Sequence, residues 1–295
     1  MKQRLPPWIR IRLKSEGKLS FVQSALKECN LNTVCESAHC PNKQECFHRG
    51  TATLLILGNV CSRKCLFCAV QSGVPEPVDG DEPRRVAEFV TKIKLRHAVI
   101  TSVTRDDLTD GGASLFAETI SKIKCAMENL TTIEVLTPDF NGSESALDEV
   151  LESAPDVFNH NLETVVRLQK DVRPQANYYR SLAVLKYAAI SGMAKIVKSG
   201  LMVGMGENDK EIYEAMRDLI KAGCRHLTIG QYLAPSKRHW PVQRFVPPKM
   251  FDEYRSRGLA MGFIEVAAGA LVRSSYLADS FFKNAFPNQA KNNEN

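Results

Sequence analysis

The chain comprises 295 residues, with 39 basic and 33 acidic side chains and a formal net charge of +6. Its 44% hydrophobic and 24% charged content fits a folded globular protein and excludes wholesale disorder, and no apolar run approaches the roughly 18 residues of a membrane-spanning helix. The basic surplus is too small to imply nucleic acid, yet it favours an acidic partner.

Residues 1–50 show little periodicity beyond a short helix around Phe21–Cys29. Five basic residues and no acidic one occupy the first fourteen positions (Lys2, Arg4, Arg10, Arg12, Lys14). Pro6-Pro7-Trp8 interrupts them and serine is absent, which argues against a transit peptide. No secretory apolar region follows Met1, so a cytoplasmic protein is expected. From residue 51 strand-like and helix-like segments alternate. Short, β-branched, apolar strands are predicted at Thr53–Leu57, Ala98–Val103, Ile133–Leu136, Asp156–Asn159, Leu201–Gly204 and His226–Tyr232. Between them, Arg84–Leu95 places Val86, Phe89, Val90 and Ile93 on one side, and Leu115–Met127 does the same with Phe116, Ile120 and Ile123. Further helices are expected at 144–153, 177–190 and 209–221, the last capped by Asn208 or Asp209, and at Pro247–Arg257.

Six strand–helix units predict an α/β fold with a parallel sheet. They are too few for a closed eight-unit barrel, so the expected form is a partial (β/α)6 TIM-like barrel, open on one side. A doubly wound sheet has the same alternation. The expected division is an N-terminal extension over 1–47, the partial barrel over 48–260 and a C-terminal extension over 261–295, with the working edge where strands end.

Nine cysteines, an odd number without a secretion signal, argue against a disulfide framework. Six fall into two groups of three, while Cys29, Cys125 and Cys224 stand apart. Cys61, Cys65 and Cys68 (C-x3-C-x2-C) follow the first strand directly. Three thiolates leave one corner of a [4Fe–4S] cube without a protein ligand, and an open iron can chelate a substrate, as an open zinc position does. A zinc knob is the competing reading, but no second cysteine pair lies downstream. Cys35, Cys40 and Cys46 (C-x4-C-x5-C) form the other group, again with three ligands. His39 between them is an awkward fourth donor and reads as a loop residue.

The C-x3-C-x2-C spacing at the tip of a first barrel strand resembles the signature of the radical S-adenosylmethionine enzymes. Together with the upstream C-x4-C-x5-C and a C-terminal Arg273-Ser-Ser-Tyr276, the chain resembles the lipoyl synthase family. Other segments resemble that family's motifs in the same order: Pro6–Leu13, Thr104–Ala113 (TRDDLTDGGA), Thr137–Phe140, Asn159-His-Asn-Leu-Glu163 and Gly230–Ser236. The match spans about residues 6–280.

The resemblance implies two [4Fe–4S] clusters and S-adenosylmethionine as cofactors. Cys61, Cys65 and Cys68 would hold one cluster, and Cys35, Cys40, Cys46 and Ser275 an auxiliary one. An alkoxide is a harder and poorer donor to iron than a thiolate, which suits a cluster meant to open. Ala267-Ala-Gly-Ala270 departs from the Ser-Gly-Pro usual there. Gly111 and Gly112 stand where the superfamily's Gly-Gly-Glu binds the cofactor's amino group, with Ala113 in place of Glu; a plain glycine turn is the alternative. Asn159, Asn161 and Glu163 suit a ribose or carboxylate, or else a turn, and His160 reads as structural. The implied reaction inserts two sulfurs, taken from the auxiliary cluster, at carbons 6 and 8 of an octanoyl chain. That chain is borne on a lysine of a lipoyl carrier protein, namely an E2 subunit of a 2-oxoacid dehydrogenase or the glycine cleavage H protein. A ferredoxin or flavodoxin reductant, an iron–sulfur carrier for cluster repair and a monomeric state are also implied; no nucleic acid or membrane is. Two rivals remain: another two-cluster sulfur-inserting enzyme such as a methylthiotransferase, and an electron carrier that recruits Cys29 as a fourth ligand.

Overall fold

Strand β2 (Thr53–Ile56) is a run of four residues buried on both faces, as a parallel strand under helices must be. It is followed by β3 (His97–Ser102), β4 (Thr132–Leu136), β5 (Val157–Asn159), β6 (Ile196–Val203) and β7 (His226–Gln231). Each pairs in parallel with the next. The short β1 (Asn32–Thr33) adds antiparallel to β2, and β8 (Glu265–Gly269) adds parallel to β7. The structure, a computed structural model, describes residues 5–9, 17–38, 40–48, 52–128 and 130–275. The basic residues of the N-terminal arm, His39, Tyr276 and the polar tail therefore lie outside the described residues.

Strand order in the eight-stranded sheet runs from β1 to β8 without reversal. A doubly wound sheet reverses at a switch point; this one curls in one direction. Among the described residues no ladder joins β1 to β8, so the barrel is partial. The chain places α1 (Gly17–Glu28), α2 (Val34–Ser37) and α3 (Lys43–His48) before the barrel helices. These are α4 (Glu82–Ile93), α5 (Ala113–Ala126), α6 (Glu144–Glu152), α7 (Val166–Val172), α8 (Tyr178–Ser191), α9 (Asp209–Lys221) and α10 (Pro248–Met261). The predicted apolar sides of α4 and α5 are the buried ones, through Val86, Phe89, Val90, Phe116, Ile120 and Ile123. Asn208 caps α9, with its side chain on the Glu211 N–H and Glu211 reaching back.

Besides β1, α2 and α3, which the aperiodic first fifty residues do not announce, three barrel elements depart from the sequence reading. β6 begins at Ile196, five residues before the expected start, because Lys198-Ser199-Gly200 breaks the apolar run while being fully buried inside the barrel. β8 is an added parallel strand of small residues, and α7 is a short helix in the connection after β5. Inside the barrel, Lys198 Nζ lies 3.0 Å from Glu134 Oε1, which also accepts from Asn159 Nδ2 at 2.8 Å; His97 Nε2 lies 3.4 Å from the other carboxylate oxygen.

Candidate cluster and cofactor site

The first cysteine group leaves the end of β2 through Leu57 and Gly58, both with positive φ (67° and 87°). This turn throws the chain back over the barrel mouth. The two-residue strands Val60–Cys61 and Gln71–Ser72 then close the loop on itself. Neighbouring loops clasp it: Leu66 N–H donates to the Val172 carbonyl at 2.9 Å, and Trp240 N–H donates to the Leu66 carbonyl at 2.8 Å. His239 Nε2 lies 3.1 Å from the Cys68 carbonyl. Burial pushes the Cys68 thiol up to about 12, and the nearby Cys65 and Cys61 sulfurs add to the effect. Cys65 is raised for the same reason, with Arg173 opposing.

The second group starts on α2, where Cys35 is buried, and continues to Cys46 on α3. Burial pushes Cys35 up to about 11, against hydrogen bonding with Thr53. The Thr53 hydroxyl donates to Ser275 Oγ at 2.7 Å, so one residue of β2 touches both Cys35 and Ser275. A second tie is Asn42 Nδ2, which donates to the Leu271 carbonyl at 2.6 Å.

One cavity of about 500 Å³ inside the barrel takes in Cys35 and Cys40 of one group and Cys68 of the other, while Cys46, Cys61 and Cys65 stand behind its lining. Cys35, Cys40, Cys68, Arg273, Ser274 and Ser275 line it, together with Asn161, Glu163 and apolar residues such as Phe67, Leu136, Met202, Leu233 and Val272. Asn161 Nδ2 donates to Glu163 Oε1 at 3.0 Å and to Ser274 Oγ at 2.7 Å, while its Oδ1 is buried without a hydrogen-bond partner. Burial raises the Glu163 carboxyl despite the Arg173 charge beside it.

Not every candidate reaches the cavity. Asn159 is fully buried below it, its amide given to Glu134. Gly111 and Gly112, at φ 63° and 90°, are also absent from the lining. A Cβ on Gly112 would stand 2.2 Å from Leu57 Cδ1, and one on Gly111 3.0 Å from Phe140 Cδ1, so packing alone already calls for glycine at both. His160 is locked between the Thr137 carbonyl (2.9 Å) and Ser181 Oγ (3.0 Å). Cys29 lies away from the cavity; its carbonyl accepts from Arg85 on α4, and its thiol is raised by burial with Lys92 and Glu88 as charged neighbours.

The sequence reading assigns no role to Thr53, Arg173 or Gly200, and takes Gly230 only as the start of a family motif. A Cβ on Gly200 would meet Asn161 Oδ1 at 2.7 Å and Ser274 Oγ at 3.0 Å, and one on Gly230 would meet the Val272 carbonyl at 2.1 Å. Glycine inside a strand is the available signal: it marks where another backbone approaches closely, here the segment carrying Ser275.

The donor set fits iron–sulfur clusters. Burial raises the Cys35, Cys65 and Cys68 thiols, and bound iron would favour their thiolate form. Among the described residues no three Cys, His, Asp or Glu side chains converge on a single metal ion. A cube does not need that convergence, because each thiolate takes a different iron.

Residues 55–219 match the model of the radical SAM superfamily. Solved structures share the fold at low identity. The Streptococcus suis SuiB structure bound to S-adenosylmethionine covers 78% of this chain and 54% of its own, with TM-score 0.55 and 12% identity. HydG, a maturase of the [FeFe]-hydrogenase, covers 86% and 56%, with TM-score 0.56 and 15% identity. The chain is thus a member of the radical SAM superfamily. Within it, the lipoyl synthase of Caldanaerobacter subterraneus subsp. tengcongensis is 52% identical over 279 residues, 95% of this chain and 97% of that one. The lipoyl synthase of Caldicellulosiruptor saccharolyticus is 49% identical over 283 residues, covering 96% and 99%. This chain belongs to the lipoyl synthase family.

Proposed function

We propose that the chain performs its family's reaction, joining two sulfur atoms to an octanoyl chain carried on a lysine of a lipoyl carrier protein. The observation that carries this reading is the single cavity walled by Cys35, Cys40, Cys68 and Ser275. Cys61, Cys65 and Cys68 would hold the [4Fe–4S] cluster that takes S-adenosylmethionine; Cys35, Cys40, Cys46 and Ser275 would hold the auxiliary one. When bound, these groups supply a carbon radical by one-electron chemistry and a source of sulfide.

The protein's own part is placement. Glu163 and Asn161 offer polar contacts at the barrel mouth, and Arg173 supplies a cation beside Cys65 and Glu163. Leu136, Met202, Leu233 and Val272 suit a methylene chain and exclude water. A methylene hydrogen has no useful acidity, so a general base is not required, in keeping with the locked His160. The Thr53 hydroxyl donates to Ser275 Oγ and so favours a negatively charged serine oxygen. We further assign as carriers the E2 subunits of 2-oxoacid dehydrogenases and the glycine cleavage H protein. A ferredoxin or flavodoxin would serve as reductant and an iron–sulfur carrier would rebuild the auxiliary cluster, in the cytoplasm and with the chain as a monomer. No helix among the described residues is long and apolar enough to cross a membrane.

Anaerobic reconstitution tests the ligand sets. The full chain should bind about eight irons, and Cys61→Ala and Cys35→Ala should each reduce this to about four. Only the unsubstituted protein should add two sulfurs to an octanoylated carrier domain by mass spectrometry. About four irons and no sulfur gain in the unsubstituted chain would refute the reading.

A further inference from the structure

Arg63 lies inside the cysteine loop, between Cys61 and Cys65, yet its side chain turns away from the cavity and is only 4% exposed. Its Nε and Nη2 fork onto both carboxylate oxygens of Asp106, at 2.7 and 2.8 Å. Nη2 also donates to Asp139 Oδ1 at 2.7 Å and Asn141 Oδ1 at 2.9 Å. Asp106 belongs to the loop after β3, and Asp139 and Asn141 to the loop after β4. Asn141 is held at φ 52°, a left-handed conformation, with Arg180 donating to the same amide oxygen at 2.8 Å. The neighbouring backbone is tied down as well. Ser62 N–H and Oγ both donate to the Thr104 carbonyl, at 3.0 and 2.9 Å, and Ser72 Oγ donates to the Arg63 carbonyl at 3.0 Å. The outcome is two backbone N–H groups aimed at one sulfur: those of Arg63 (3.4 Å) and Thr104 (3.3 Å) reach Cys61 Sγ.

Burying the Arg63 cation with the Asp139 carboxylate, beside a more exposed Asp106, has a desolvation penalty, and β3 and β4 already pair through their own ladder, so the sheet does not need this cluster of charges. What it does fix is the loop. A planar fork can serve Asp106 and Asp139 together, which an ammonium cannot. Hydrogen bonds to cluster sulfurs favour the more negative, reduced state.

We propose that Arg63 is a positioning residue that clamps the cysteine loop onto Asp106 and Asp139. The clamp keeps the Arg63 and Thr104 N–H groups on Cys61 Sγ and so holds up the reduction potential of the cluster there. The proposal rests on the reading that Cys61, Cys65 and Cys68 carry that cluster.

The test uses the full chain with Cys35→Ala, Cys40→Ala and Cys46→Ala, so that one cluster reports in a redox titration followed by electron paramagnetic resonance. Arg63→Gln should lower the ratio of reduced to oxidised cluster at fixed potential about tenfold, equivalent to about 59 mV for one electron. Arg63→Lys should move it in the same direction, because charge without the fork does not suffice. In the cluster-free chain, hydrogen exchange of the amides at 61–68 should quicken about tenfold in Arg63→Gln, with β3 and β4 unchanged. An unaltered potential in both variants, or acceleration spread evenly through the chain, would overturn the proposal. A background protein that takes up no iron refutes the ligand reading instead, and the exchange measurement, made without iron, still decides the role of Arg63.

Discussion

Gly112 stands at φ 90°, with Leu57 Cδ1 at 2.2 Å from the place a Cβ would occupy. A side chain there meets a backbone penalty and a clash at the turn that launches the cysteine loop. Gly112→Ala should therefore destabilise the cluster-free chain by about 1–3 kcal/mol in guanidinium unfolding; an unchanged midpoint would argue for a cofactor role instead. Two histidines make a pH prediction. Burial, reinforced by the Arg173 charge, holds His160 down at about 4, and burial with Lys198 holds His226 at about 4. The unfolded chain takes up protons near 6.5 while the folded chain resists until about 4, so stability is complete above that range and lost as pH falls through it. From pH 7 to 5 the cluster-free chain should lose about 2–4 kcal/mol, and His160→Gln should flatten the slope if its packing survives.

At the scale of elements, β4 and β6 face each other through a buried ion pair. Burial opposes ionisation of Glu134, but Lys198 and then His97 outweigh it and hold the carboxyl well below its usual range. Lys198→Met alone should cost about 3–5 kcal/mol by stranding the carboxylate, and adding Glu134→Gln should recover part of it. Urea unfolding of the two variants gives the comparison; equal losses would contradict the pairing. The same pair explains where sequence reading fell short. Lys198 cut β6 in half on paper because its partner sits 64 residues away, beyond any periodic signal. α4 and α5 were legible because one apolar side repeats locally. The cysteine triplets were legible for the same reason, since ligands of one cluster cluster in sequence. Ser275 was reachable only through family resemblance, and its bond to Thr53 spans 222 residues. For Gly111, Gly112 and Asn159 the sequence leaves a cofactor contact and a turn role open; their packing against Phe140, Leu57 and Glu134 is tertiary information that no local pattern carries.

For the whole molecule, the consequence of the partial barrel is where it puts its two ends. β1 adds the N-terminal segment to one side of the sheet and β8 adds the C-terminal segment to the other. Asn42 on Leu271 and Thr53 on Ser275 then join them. Residues from opposite ends of the chain thereby share a cavity with the loop after β2, which is the arrangement a sulfur transfer between two cofactors requires. The most direct measurement is isotopic. The chain is reconstituted with labelled sulfide, freed of excess, and given S-adenosylmethionine, a reductant and an octanoylated carrier domain in unlabelled buffer. Mass spectrometry should find two labelled sulfurs on the octanoyl chain in the unsubstituted protein and none in Cys35→Ala. Unlabelled sulfur in the product, or equal insertion by Cys35→Ala, would contradict the account.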